Sequence, residues 1–371
     1  MADHITYDPI YDTVAPDDFP SLLAVDRYGS RTDAFDEIVS KTADHFWDPN
    51  DPRYIDFEAE DFDLKERTIL PRDFIAELNC AVADRLDERQ QIELANESAR
   101  FMLSSILHGE QGALSLSASL CHILRDPGAQ EYAANQTREE ARHVTAFARY
   151  MQLRFGSPLP VGDTLRDLLT EVVRAPEVYK KLVGMQMLVE GLAMGAFATI
   201  HMRSQDPVLK RLVQLVMSDE HFHHLFGKIW ADRTMPKLSE EEHARVEDWA
   251  AKCFKTLLFN LVNAEQKRAI YPRFGLEWQW VRDAIREAFT DEDRRQAMTQ
   301  STNIFRVLIK TLLKGGIITD RTRDLYAAWV DMDELRREDD TPVGAAIAEE
   351  AMADLAEINR GRHRLARAPR A

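Results

Sequence analysis

The sequence predicts an all-α protein centred on a four-helix bundle, on three observations. Period-2 alternation is absent, and from residue 64 onward amphipathic runs of helical length alternate with short Pro- and Gly-bearing breaks. The run Leu182 to Ile200 has no Lys, Arg or Asp, and Glu190 is its single charge. A lone buried carboxylate costs several kcal/mol unless something pairs with it. Finally, one spacing of acids and histidines occurs twice, on four of these runs.

Taken in order, residues 1–63 are rich in Asp and Pro with scattered aromatics (DPIYD, APDDFP, WDPNDPR). They read as an irregular acidic arm on the surface, a solvated coil with a short helix near Thr32–Asp44. ILPRDFIAELNCAVADRL, Ile69–Leu86, has the amphipathic pattern of a helix. A long helix follows from about Glu88 to Leu124 and breaks at Asp126-Pro127-Gly128. A second runs from about Gln130 to Phe155, before SPLP. The apolar third spans about Pro176–Met202 and breaks at SQDP, and the fourth spans Pro207 to about Asp232. Ser239 and Glu242 form a capping box that opens a helix lasting to about Tyr271. Further helices are expected at Glu277–Phe289, Glu292–Leu313 and Thr319–Leu335, and Thr341-Pro342 opens a last one. Residues 64–335 thus form one helical domain with its core at about 88–232. Residues 336–371 add a terminal helix and a basic tail, GRHRLARAPRA.

The doubled spacing is Glu-x29-Glu-x2-His. Glu110 precedes Glu140 by thirty residues, with His143 three further on; Glu190 precedes Glu220 by thirty, with His223 three further on. Each pair straddles a turn, near Pro127 and near Gln205. At ~1.5 Å of rise per residue, each hairpin sets its first Glu level with its Glu-x2-His pair. Residues i and i+3 share a helix face, so both pairs can point inward. Two such hairpins packed antiparallel bring four carboxylates and two imidazoles to one level. Without a cation, that many buried acids would need several raised pKa values at once. Glu110, Glu140, His143, Glu190, Glu220 and His223 are therefore candidate ligands of two metal ions, and this inventory is that of di-iron and di-manganese bundles.

These residues resemble the ferritin-like di-iron oxygenase superfamily: bacterial multicomponent hydroxylases, acyl-carrier-protein desaturases, ribonucleotide reductase small subunits and arylamine N-oxygenases. EEARH at Glu139–His143 is similar to the acid-Glu-x-Arg-His box of hydroxylases and desaturases. DEHFH at Asp219–His223 matches the second box, with Phe222 in place of Arg. The resemblance covers about Ala95 to Asp232 and implies a ferritin-like bundle. It also implies that Asp219 orients His143 and that Glu139 orients His223 through the free ring nitrogens. The tyrosine that radical-storing subunits carry four residues after the first-box His is here Phe147, with Tyr150 one turn on. The third histidine of the N-oxygenases is here Val216. His224 lies on roughly the right face to substitute as an extra ligand, or is a core histidine. Where many members place a Thr after the third-helix Glu, Ala193 and Met194 stand.

Carboxylates and imidazoles suit two irons, with a manganese–iron pair as the alternative, and O2 as co-substrate. Small and apolar residues beside the candidate ligands would either be plain core or line a substrate pocket: Ala113, Leu114, Ser117, Phe147, Ala193, Met194, Phe197 and Met217. A pocket of that kind expects an acyl chain or aromatic ring, possibly carrier-bound. The reading is an oxidase or oxygenase that hydroxylates or desaturates such a substrate. N-oxygenation of an amine, and iron handling without an organic substrate, are the alternatives. No nicotinamide or flavin fingerprint is present, so a ferredoxin or reductase partner is expected to supply electrons. A net charge of −16 argues against nucleic-acid binding and against adhesion to an anionic membrane. Glu190 and Gln186 argue against a lipid-exposed span, so no membrane is expected. Three scattered cysteines fit a reducing cytoplasm, and the superfamily implies a homodimer.

Overall fold

Four long helices, three of them started by an aspartate side-chain cap, form the centre of the molecule. The computed structural model describes residues 6–43, 45–59, 61–299 and 303–366. After a short helix α1, Asp36–Ala43, α2 spans Glu88–Leu120, opened by a reciprocal capping box between Asp87 and Gln90. Helix α3, Pro127–Phe155, starts with Asp126 as cap and Pro127 in its first turn, and ends at Gly156 in the left-handed conformation. The surface helix α4 covers Asp163–Arg174. Helix α5 runs from Val178 to Arg203. Helix α6, Pro207–Thr234, repeats the Asp-Pro start with Asp206 as cap. Helices α2 and α3 pack along their length as one hairpin, α5 and α6 as the other. This is the all-α, ferritin-like four-helix bundle that the sequence predicts, with further helices around it.

Helix α7, Glu240–Val262, packs over the first half of α5, and α9, Ile304–Lys314, packs against its second half. Between them in the chain comes α8, Trp278–Ala288, which packs on the turns Ala264–Lys267 and Ala76–Asn79. The last helix, α10, Ala345–Ala366, lies on α6. No strand occurs among the described residues. Helix α5 is long and apolar enough to cross a membrane, yet 72% of its most apolar window is buried inside the protein. It is a core element of the bundle.

The structure departs from the sequence reading in four places. The described residues of the segment 1–63 are not a solvated coil. Trp47 and Tyr54 are buried, Val14 N–H bonds to Ile123 O at 2.9 Å, and Tyr54 Oη donates to Asn359 of α10 at 2.6 Å. Aromatic residues scattered among the acids supply the buried area that holds the arm down. Ile69–Leu86 is not a helix but three separate short turns, Arg72–Phe74, Ala76–Asn79 and Ala83–Arg85. Pro71 and the extended backbone at Ile75 and Cys80 interrupt it. Three expected helices are shorter or divided, because Asn263 ends α7 while Asn303 and Asp331 cap new starts. Finally, α5 is π-helical from Leu182 to Val189, and Glu190 N–H bonds to Met185 O, five residues back. Of the basic tail, residues 367–371 and the side chains of 361–366 lie outside the described residues.

Candidate metal centre

Each hairpin of the bundle carries one isolated glutamate and one Glu-x2-His pair, and the antiparallel packing brings all six side chains together. Two groups of potential ligand atoms form, each with its atoms within 4.8 Å of one another: Glu110, Glu140, His143 and Glu220, and Glu140, Glu190, Glu220 and His223. Glu140 and Glu220 belong to both groups, and each divides its oxygens between them. Toward His143 Nδ1 lie Glu110 Oε2 at 3.1 Å, Glu220 Oε1 at 3.2 Å and Glu140 Oε2 at 3.4 Å. Toward His223 Nδ1 lie Glu140 Oε1 at 3.1 Å and Glu220 Oε2 at 3.2 Å.

The outward nitrogens of both rings are held by acids from the opposite hairpin. His143 Nε2 donates to Asp219 Oδ2 at 2.8 Å, and His223 Nε2 donates to Glu139 Oε2 at 2.9 Å. That leaves Nδ1 of each ring to face the carboxylates. Asp219 also accepts from Arg142 Nη2 at 2.7 Å, Trp47 Nε1 at 2.8 Å and His45 Nε2 at 2.8 Å. Trp47 lies stacked beside His143, with ring centres 6.0 Å apart. Gln136 donates to Glu140 Oε1 at 3.0 Å and to Glu190 Oε1 at 3.4 Å. Gln186, in the π-helical stretch, donates in turn to Gln136 Oε1 at 3.0 Å.

The charges of this cluster show what it lacks. Burial pushes the Glu110 carboxyl up to about 8 and Glu190 well above its ordinary value, the latter helped by Glu220 and Glu140. Burial alone would depress both histidines, but the surrounding carboxylates hold them well above the usual imidazole range. Burial would raise Glu140 and Glu220, but the charge of His223 together with hydrogen bonds from His143 and His223 holds both below the usual carboxylate range. Protons therefore do what cations would do. The donor count agrees: one Nδ1–H faces three carboxylate oxygens, and Glu140 Oε2 and Glu220 Oε1 are buried without a hydrogen-bond partner. Carboxylate and imidazole donors converging on two adjacent points, short of protons, fit two divalent ions with a hard-oxygen preference.

One side of the centre opens on a cavity of about 600 Å3, whose wall includes Glu110 of α2 and Glu190 of α5. It runs between these two helices and is bounded also by residues of Leu70–Glu77 and by the start of α9. Of the pocket residues expected from sequence, Ala113, Ala193 and Phe197 line it. Leu114, Ser117, Phe147, Met194 and Met217 do not. The Ser117 hydroxyl is buried against Ala113 O at 2.6 Å, Phe147 stacks behind Phe197, and Met217 packs at Gly344. The reason is topological: the open face lies between α2 and α5, whereas Phe147 and Met217 come from α3 and α6. Met194 and His224 share a separate small pocket with Lys228 and Lys310. His224 stands outside both ligand groups, and its Nδ1 is buried without a partner. Tyr150 is tied to Asp206 at 2.7 Å, at the far end of its helix. Sequence reasoning missed His45, Trp47, Gln136 and the segment Leu70–Glu77, and read Gln186 only as an argument against a membrane span. Gln136 and Gln186 each precede a candidate ligand, Glu140 and Glu190, by four residues, a repeated spacing that could have found them.

No protein-family model matches the chain, and no curated protein matches it. Among solved structures, the chain is similar to the R2-like ligand-binding oxidase from Sulfolobus acidocaldarius, at 17% identity and a TM-score of 0.42. That alignment covers 69% of this chain and 86% of the other.

Proposed function

We propose that this chain is an O2-dependent di-metal oxidoreductase, with iron as the preferred metal, that hydroxylates or desaturates an apolar organic molecule. One observation carries the reading. Two ligand groups share Glu140 and Glu220 and meet a large apolar cavity on their Glu110 and Glu190 side. A centre built to handle iron alone has no use for a cavity of this size beside its ligands.

The six residues Glu110, Glu140, His143, Glu190, Glu220 and His223 would hold the ions. Two ferrous ions, or manganese beside iron, supply O2 activation strong enough for C–H bonds. The protein's own residues do the rest. Asp219 and Glu139 fix the ring orientation of His143 and His223 so that Nδ1 faces inward. Gln136 steadies Glu140 and Glu190 through its amide. The cavity wall presents mainly apolar carbon to Glu110 and Glu190. Reducing equivalents would come from a separate ferredoxin or reductase.

The test is anaerobic titration of metal-free protein with Fe(II), followed by O2 uptake with a chemical reductant present. Two irons per chain and uptake that continues beyond the added iron are expected. Uptake that stops at the iron added would replace this reading with a ferroxidase. One iron or none, with no uptake, would overturn it.

A further inference from the structure

Two buried glutamines stand at the same offset from two candidate ligands. Gln136 precedes Glu140 by four residues, and Gln186 precedes Glu190 by four. The matching positions on the other two ligand helices are apolar, Ile106 before Glu110 and Val216 before Glu220. The doubled motif is therefore symmetric in its ligands and asymmetric one turn behind them. Both glutamines are 0% exposed, and a buried primary amide must place two N–H bonds and a carbonyl oxygen.

The two amides meet face to face. Gln186 Nε2 donates to Gln136 Oε1 at 3.0 Å, and Gln136 Nε2 lies 3.3 Å from Gln186 Oε1. The remaining capacity of Gln136 goes to the ligands: Nε2 donates to Glu140 Oε1 at 3.0 Å and reaches Glu190 Oε1 at 3.4 Å. Glu140 Oε1 is the oxygen that faces His223 Nδ1, at 3.1 Å, and Glu190 belongs to the His223 group alone. The amide thus serves one ligand group and not the other. Gln186 decides which end of that amide points inward. With Gln136 turned over, two N–H groups would oppose each other, and a carbonyl oxygen would face the Glu140 carboxylate. Gln186 is itself seated by close packing. It lies in the π-helical stretch Leu182–Val189, and α6 passes it at Gly227, where a Cβ would meet Gln186 Cβ and O at 3.1 Å.

We infer that Gln136, aimed by Gln186, is a positioning residue for the metal on the His223 side only, so that the two metal sites are unequal. The amide keeps Glu140 Oε1 and Glu190 Oε1 together on the side that His223 Nδ1 faces. A donor behind a ligating carboxylate fixes its direction, and losing such a donor costs metal affinity. On the His143 side, Asp219 does the orienting through the imidazole ring, and Ile106 stands where an amide would support Glu110. Removing the glutamine pair therefore weakens one ion and spares the other. That ions bind there at all rests on the function proposed above.

The experiment is anaerobic titration of the full chain with Fe(II) against a chelating indicator, for the native chain, Gln136→Leu, Gln186→Met and the double variant. The native chain should take two irons. Gln136→Leu should keep one at native affinity and bind the other about 10- to 100-fold more weakly. Gln186→Met, which leaves every ligand in place, should weaken that same iron about tenfold. It should add nothing once residue 136 is leucine, because its effect passes through that amide. A further His143→Ala should remove the iron that Gln136→Leu retains, and a further His223→Ala should not. Two irons weakened alike in Gln136→Leu, or neither weakened, would overturn the inference and leave the two-metal reading standing. Independent, additive losses in the double variant would do the same, and they hold the test if Gln136→Leu is poorly folded by its helix content. A native chain that takes no iron would remove the metal reading and the inference together.

Discussion

Replacing Glu110 by glutamine should stabilise the metal-free protein at pH 8 and change it little at pH 5. In the folded chain Glu110 holds its proton up to about 8, against 4.5 ordinarily, because it is fully buried. The unfolded chain loses that proton first. Between those two values the folded state therefore binds the extra proton, and stability falls as pH rises. Each pH unit of that interval costs about 1.4 kcal/mol, so the loss by pH 8 is on the order of 5 kcal/mol. Glu190, His143 and His223 are all raised and push in the same direction. For a chain of 371 residues, an unfolding entropy of ~2.1 cal/mol/K per residue converts 5 kcal/mol to about 6 °C in Tm. Glutamine can still accept from His143 Nδ1 and carries no proton to lose. Thermal unfolding of chelator-treated native and Glu110→Gln chains at pH 5, 6, 7 and 8 is the assay. The variant should match the native protein at pH 5 and exceed it by about 6 °C at pH 8. A Tm difference that stays constant from pH 5 to 8 would refute the assignment of that proton to Glu110.

Three further outcomes can be checked separately. Asp219→Asn keeps the shape but removes the charge that orients His143, and metal affinity should fall about 10- to 100-fold in chelator competition while helix content is kept. Ala193→Phe places a ring in the cavity, so binding of an apolar probe such as dodecane should disappear while the chain still takes up two irons per molecule in anaerobic titration. Gly227 of α6 lies where an added Cβ would meet Gln186 Cβ and backbone O at 3.1 Å; Gly227→Ala should force the helices apart and cost about 1–3 kcal/mol by denaturant unfolding.

The candidate ligands were legible because their constraint is local. An i,i+3 pair and a thirty-residue return are fixed by helix rise and turn position, which a single sequence displays. The helix caps were legible for the same reason: Asp126-Pro127, Asp206-Pro207 and Ser239 each mark a start within a few residues. What holds the centre from outside was not. Trp47 lies 172 residues from Asp219 in sequence, and nothing around it announces the contact. Leu70–Glu77 carries a helical pattern, yet Pro71 and the extended backbone at Ile75 break it into turns, and it comes to line the cavity, which the pattern alone did not show. The π-helical stretch before Glu190 was hidden too, since an apolar run without a charge has no marked face to betray its period.

The one visible irregularity in the doubled motif, Phe222 in place of Arg, also explains why the two halves of the centre differ. Arg142, in the first box, reaches across the bundle and grips Asp219 with both Nη2 at 2.7 Å and Nε at 3.2 Å. The second box has no such arginine to give Glu139. Phe222 packs instead edge-on to His45, which itself binds Asp219. The N-terminal arm thus adds donors to the acid that already has an arginine. Glu139 keeps His223, has Arg142 at 3.5 Å, and leaves Oε1 buried without a hydrogen bond. A carboxylate that accepts from four side chains cannot turn, and one that accepts from a single ring can. Of the two candidate ligand histidines, His143 is consequently the more firmly held and His223 the less. Under the proposed function, adjustment on metal binding would fall on the Glu139 and His223 side, away from Trp47, which stacks on His143 and donates to Asp219.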